Sequence, residues 1–242
     1  MLRLYATLVM VAVFTCVKAQ YNDTTHYYIG IASTGTYNRT NTSETFLLSN
    51  TLRGGIRQKK FAFNALNKFL YGRNNIRLTN SDFTSVWDFN YYTNYKRLYS
   101  WALLTYNSIY SLKVNSQLQT GLGMAFELID NQKVQVNVSD GLLYDFSDIT
   151  ILDTVHDKYQ TLRNSFRLQY KMTAGNLSFR VVGFIQNSFE YRKDYIIKSD
   201  ATLAYRFRKV LSLTMQGTYN KMNRTGKETL FLTYGLSYEK YF

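Results

Sequence analysis

The sequence predicts an all-β fold: a single antiparallel transmembrane β-barrel of about 12 strands, with N- and C-termini on the periplasmic side. Three observations predict it. From His26 onward, segments of about a dozen residues alternate apolar and polar side chains, the period of a pleated strand. Proline is absent while Tyr and Phe number 22 and 16, a composition that favours strands and aromatic girdles. The stretch Leu230–Phe242 keeps its alternation to the end, with Leu230, Leu232, Tyr234, Leu236 and Tyr238 on one face and Thr233, Gly235, Ser237 and Glu239 on the other. A strand that closes a sheet against the first strand, near Tyr27–Tyr37, needs this order up to its last residue. Lys240 interrupts the outward row before Phe242.

The start of the chain reads differently. Met1-Leu2-Arg3 forms a basic n-region, Leu4 to Thr15 an apolar core, and Val17-Lys18-Ala19 a small-residue cleavage site, so residues 1–19 are expected to be a secretory signal peptide and 20–242 the barrel. Cys16, the one cysteine of the 242 residues, falls inside that segment, which leaves the mature chain without disulfide or thiol chemistry. Cleavage removes Arg3 and Lys18 and no acid, taking the formal charge from +13 down by two to +11. For an exported basic barrel the nearest partners are outer-membrane lipids and lipopolysaccharide phosphates, with the barrel-assembly machinery during biogenesis; nucleic acid is not expected. No later apolar run is long enough for a membrane-spanning helix.

The strands follow in order. The clearest are Phe46–Arg57, Ser116–Leu128, Thr161–Met172, Tyr195–Phe207, Leu211–Lys221 and Leu230–Phe242. Within Thr161–Met172, Leu162, Phe166, Leu168 and Tyr170 oppose Arg163, Ser165, Arg167, Gln169 and Lys171; within Leu211–Lys221, Leu211, Leu213, Met215 and Tyr219 oppose Ser212, Thr214, Gln216, Thr218 and Asn220. Such faces suit lipid outside and water inside. Phe61–Tyr71 and Leu98–Tyr110 carry apolar residues in both phases, and alternation does not choose a face for the second. Five connections, Gln58–Lys60, Thr93–Arg97, Asp130–Lys133, Thr173–Asn176 and Arg208–Val210, are short, as periplasmic turns are. The alternate ones, including Arg39–Glu44, Gly72–Asp82, Asp145–Gln160 and Met222–Glu228, are mostly longer and read as outer loops. Asp140-Gly141 breaks an apolar phase and suggests a bulge or bend.

Two glycine-spaced stretches carry a resemblance. Ser33-Thr34-Gly35-Thr36-Tyr37-Asn38-Arg39-Thr40-Asn41 opens the barrel, and Leu118-Gln119-Thr120-Gly121-Leu122-Gly123 is followed by Leu128-Ile129-Asp130 and Gly141-Leu142-Leu143-Tyr144. The chain thereby resembles the salt-induced outer-membrane protein family over most of its mature length. The resemblance implies outer-membrane location and brings no catalytic residues with it.

Strand phase turns Arg53, Arg57, Lys68, Arg163, Arg167, Lys171, Arg180, Lys198 and Arg206 toward the lumen, against Asp88, Glu127, Asp200 and Glu239. This excess either favours anions in a pore or pairs across a narrow interior as a polar core. The expectation is a non-enzymatic barrel, either an envelope structural protein or a narrow channel for small solutes, anions among them, with no cofactor. Two alternatives stand beside it. A lipid-modifying barrel enzyme would use His156 with Ser147, Asp153 or Asp157, and a soluble ligand-binding barrel would turn its apolar faces inward. Asp145, Asp148, Asp153 and Asp157 match no cation-loop spacing, and His26 has no nucleophile near it in sequence. The sequons at Asn38, Asn41, Asn137, Asn176 and Asn223 are explained by the abundance of Asn, Ser and Thr.

Overall fold

The computed structural model describes residues 26–93, 97–151 and 155–242; the stretch expected to be a signal peptide, with Cys16, and also Asp153, lie outside the described residues. Twelve strands run in chain order: β1 (Tyr27–Arg39), β2 (Glu44–Arg57), β3 (Phe61–Asn74), β4 (Arg77–Tyr92), β5 (Leu98–Ile109), β6 (Val114–Asp130), β7 (Val134–Ile151), β8 (Val155–Ala174), β9 (Leu177–Ser188), β10 (Tyr195–Arg206), β11 (Leu211–Met222) and β12 (Lys227–Tyr241). Each pairs antiparallel with its sequence neighbours, and β12 returns to β1 to close the barrel. Both described ends of the chain therefore lie at one rim, called here the terminal end; the opposite rim is the far end.

Closure is a matter of register and of one glycine. The β1–β12 ladder runs from Tyr28↔Tyr241 to Gly35↔Tyr234. Beyond it the amides of Tyr27 and Phe242 donate to each other's carbonyls at 2.8 and 3.0 Å, and the two rings stack at 5.8 Å. At Gly235 a Cβ would collide with the backbone of Ser33 and Thr34, so no other residue lets the two strands approach this closely.

The two faces of the wall have opposite chemistry. Outward positions are large, apolar and exposed, with Leu122, Leu230 and Leu232 at 69, 75 and 58% exposure. Aromatic pairs sit toward both rims, such as Phe61–Tyr91 and Tyr170–Phe179 at the terminal end and Phe46–Tyr71 and Phe83–Tyr106 toward the far end. Inward positions are mostly polar. Thr34 bonds Thr233 at 2.9 Å and Thr214 bonds Ser237 at 2.7 Å, a hydroxyl-lined stripe across β1, β12 and β11. An apolar exterior belt with aromatic margins over a polar interior is the pattern of a transmembrane barrel, and it excludes the soluble barrel with apolar faces inward.

Two expectations are corrected, and one face left open by the sequence is assigned. The stretches expected as long outer loops are mostly strand. Gly72–Asp82 is a hairpin turning on Asn75 and Ile76, with Asn75 in the left-handed region at φ 53, which asparagine tolerates. Likewise β7 and β8 reach Ile151 and Val155, so that 152–154 alone joins them. Strands of 18 and 20 residues outrun the roughly 9–11 needed to cross a bilayer. The expected contrast in loop length thus becomes a contrast in strand length. Second, no bulge occurs at Asp140-Gly141: Gly141 lies opposite Gly123 in a regular ladder, and the β6 irregularities fall instead at Val114/Ser116 and Glu127/Ile129. The paired glycines make room for the Trp101 indole, which a Cβ at either would strike. The face assigned is that of β5, which turns Tyr99, Trp101, Thr105 and Asn107 inward, so its lumen face is partly aromatic, and this is why alternation alone chose no face.

Candidate functional site: the barrel lumen

The interior is layered along the barrel axis. At the far end, inward side chains form an apolar cluster. Ile109 and Val114 come from β5 and β6, Leu112 from the short 3-10 turn Tyr110–Leu112, Ile149 and Tyr159 from the extended ends of β7 and β8, and Ile196 and Met222 from β10 and β11. Leu112, Ile149 and Met222 are at most 2% exposed. This layer is an apolar constriction toward the far mouth, of the kind that can gate a pore by excluding water.

Directly associated with it is an ion network. The Arg163 guanidinium is fully buried; its Nε donates to Asp145 at 2.5 Å, and its terminal nitrogens donate to the Asp194 carboxylate at 2.7 and 3.1 Å and to the Tyr159 hydroxyl at 3.0 Å. Asp194 belongs to the 189–194 connection, which is thereby tied inward. Arg224, in the 223–226 connection, donates twice to Asp157 at 2.7 and 2.9 Å and is held between the rings of Tyr159 and Tyr191, 3.9 and 4.4 Å from their centroids. Asp145 also accepts from Gln117 and Gln119, and Gln117 accepts from Asn107, which in turn accepts from Thr84. A continuous polar chain thus joins β4 to β8 and the 189–194 connection beneath the apolar layer. Buried charges persist only when paired and hydrogen-bonded, and each described member here is.

Below these layers lies a cavity of about 310 Å³. Of the nine cations assigned inward by phase, Arg53, Lys68, Arg167, Arg180 and Lys198 line it. Lys68 pairs with Asp200 at 3.5 Å and Arg167 with Asp88 at 3.9 Å. Asp82 accepts from the Ser111 amide and hydroxyl at 3.0 and 2.7 Å. Toward the terminal end, Arg57 lies 5.0 Å over the Tyr92 ring, Lys171 stands in register with Arg180, and Arg206 reaches Glu239 at 3.9 Å. Arg163 does not line the cavity, being consumed in the ion network above. Sequence phase overlooked Asp82, Asp145 and Asp157 as inward acids, and also the apolar layer, because Gly72–Asp82 and Asp145–Gln160 were read as loops. Alternation does continue there: Leu143, Asp145, Ser147 and Ile149 face in, while Tyr144 and Phe146 face out.

The residues of the enzymatic alternative are not brought together. Ser147 is buried inside and donates to Asp145 at 2.7 Å, whereas His156 is exposed on the outer face near Asn115 and Asp148 at 3.1 and 3.5 Å. The barrel wall separates the nucleophile from the base. Asp157 is bound to Arg224 inside while Asp148 lies beside the exposed His156, so among the described residues the aspartates gather into no cation site either. The ring of His26, at the terminal rim, lies 3.2 Å from the Arg57 carbonyl oxygen.

No protein-family model matches the sequence, and no curated protein matches it by sequence. Solved structures share the fold. The NanC porin aligns at 9% identity over 87% of this chain and 98% of its own, with a TM-score of 0.53. The translocator domain of the autotransporter NalP from Neisseria meningitidis aligns at 12% identity over 98 and 93%, with a TM-score of 0.51. An outer membrane channel from Pseudomonas putida aligns at 14% identity over 93 and 100%, also at 0.51. These likenesses place the chain in the architecture of outer-membrane porin-like β-barrels.

Proposed function

We propose that this chain is a non-enzymatic outer-membrane barrel that acts as a narrow channel for small solutes, constricted toward its far mouth by the apolar layer. The observation that carries the reading is the cation-rich cavity beneath the apolar layer, with five cations against three acids on its wall: a purely structural barrel has no need of internal space lined by excess charge. The terminal end faces the periplasm and the far end faces outward, where the projecting ends of β6, β7 and β8 clear the bilayer. Outer-membrane lipid and lipopolysaccharide surround the apolar belt, and the assembly machinery closes the β1–β12 seam. The glycine-spaced stretches at Ser33–Asn41, Leu118–Gly123 and Gly141–Tyr144 support kinship with the salt-induced outer-membrane protein family.

Conductance in planar bilayers tests the function. The protein is expected to show low, infrequent conductance steps with anions favoured under a salt gradient. Replacing Asp194 by Ala unties the 189–194 connection from Arg163 and is expected to raise the fraction of time spent open. A folded barrel that stays silent in both forms at all voltages overturns the channel and leaves a structural role.

A further inference from the structure

The cavity lining is charged and apolar at once. Among the described residues, Arg53 and Arg180 form no ion pair, and Arg180 makes a single 3.3 Å hydrogen bond to Gln169. The Nε groups of Arg53 and of Arg167 are buried without a hydrogen-bond partner. Arg53 and Arg180 come from strands on opposite sides of the lumen yet border one cavity, and Lys171 beside Arg180 adds a further positive charge. The acids of the cavity offset its cations only in part, three against five: Asp88 and Asp200 lie beside Arg167 and Lys68, Asp82 is held by hydrogen bonds from Ser111, and Lys198 adds a fifth cation; Glu239, beyond the cavity, is engaged by Arg206 and Tyr28. Uncompensated guanidinium groups in a confined interior call for an anion, and their planar forks suit a carboxylate or phosphate.

The same cavity also presents hydrocarbon beside two of its cations. Leu66 stands directly opposite Arg53 in the β2–β3 ladder, and Phe184 directly opposite Arg167 in the β8–β9 ladder. Val86, Leu103 and Trp101 continue this lining on β4 and β5. A hydrated inorganic anion gains nothing from those side chains, whereas an anion with a compact apolar body gains from burying it. A volume of about 310 Å³ lies at the small end of the range for organic-ligand pockets.

We infer that the lumen is a binding site for a small amphipathic organic anion, its carboxylate on Arg53 and Arg180 and its apolar body against Leu66, Leu103, Trp101 and Phe184. The inference deepens the channel reading by naming the solute class, and rests on it only for the solute's access to the lumen.

Trp101 provides the readout, since the chain's other tryptophan, Trp87, faces outward and Trp87→Phe leaves Trp101 as sole reporter. The full mature barrel in detergent is titrated with cyclohexanecarboxylate, with cyclohexanemethanol and with inorganic phosphate. The carboxylate is expected to shift Trp101 emission saturably, and the other two to bind at least about tenfold more weakly, the scale of a lost charge-assisted hydrogen bond. Arg53→Gln with Arg180→Gln is expected to erase the advantage of acid over alcohol; Arg180→Lys, which keeps charge and volume, is expected to retain part of it. Heat-dependent gel mobility establishes that each variant is folded, and Arg180→Lys carries the test if the double variant is not. Equal binding of phosphate, equal binding of the alcohol, or no saturable binding of the acid each overturns the inference. Conductance is scored separately: acid binding without conductance sustains the site and removes the channel, and conductance without Arg-dependent acid binding does the reverse.

Discussion

Arg163 shows how far one residue's role exceeds its pattern. Its inward phase follows from the alternation of Thr161–Met172, but its complete burial between Asp145, Asp194 and Tyr159 depends on a connection folding in over it, which no local period encodes. Arg163→Ala leaves Asp145 buried without its cation, and such losses cost about 3–5 kcal/mol. The expected outcome is a marked drop in the denaturant midpoint of the refolded barrel, measured by gel mobility. Arg163→Met combined with Asp145→Leu and Asp194→Leu is expected to recover part of it, because neither carboxylate is then left buried without the Arg163 cation. Gly141 makes a complementary case. Gly141→Val is expected to block assembly, and adding Trp101→Ala is not expected to rescue it, because the new side chain meets the backbone of Leu122 and Gly123 as well as the indole. Folded yield of the single and double variants checks this.

At the scale of the strand, alternation identified every element with a clean lipid face, such as β8, β11 and β12, because lipid tolerates only apolar side chains and so imposes a strict period. It was less decisive where the lumen itself is apolar. In β5 the inward Trp101 packs over two glycines, and at the far end Ile149, Ile196 and Met222 face in, so both phases hold hydrocarbon and polarity stops reporting direction. Polar outward residues beyond the bilayer, such as Asp148 and Thr150, have the same effect from the other side and made strand resemble loop. The apolar layer also makes a prediction. Ile196→Asn with Met222→Gln keeps both strands and comparable volume while wetting the constriction, and is expected to raise single-channel open time without changing ion preference, since the cavity cations are untouched. An unchanged open time would place the barrier elsewhere.

The whole molecule is organised by its inverted surface: a hydrophobic exterior makes the bilayer part of the fold, and a polar interior makes a compact core unnecessary. The architecture followed from sequence because most strands obey that inversion over most of their length. The chemistry of the lumen did not, since it arises from strands far apart in the chain, Arg53 on β2 and Arg180 on β9, whose proximity exists only once the barrel closes.

Closure is also where the barrel is unevenly built. The β7–β8 ladder extends from Val134↔Met172 to Ile151↔Val155, and its partners are close neighbours in sequence. The β1–β12 ladder spans Tyr28↔Tyr241 to Gly35↔Tyr234 and joins segments from opposite ends of the described chain. A short ladder with a long loop to close gains little enthalpy against a large entropy, so it forms late and parts early. Amides of Ile31, Ser33, Leu236 and Tyr238 are accordingly expected to exchange hydrogen with solvent sooner than those of Leu143, Asp145 and Arg163, as mass spectrometry of the folded barrel can record. Such a seam gives the barrel a lateral hinge: the line along which it would split is set by the order of synthesis, and the wall facing it, built from the longest hairpin, keeps the buried ion network intact while the seam breathes.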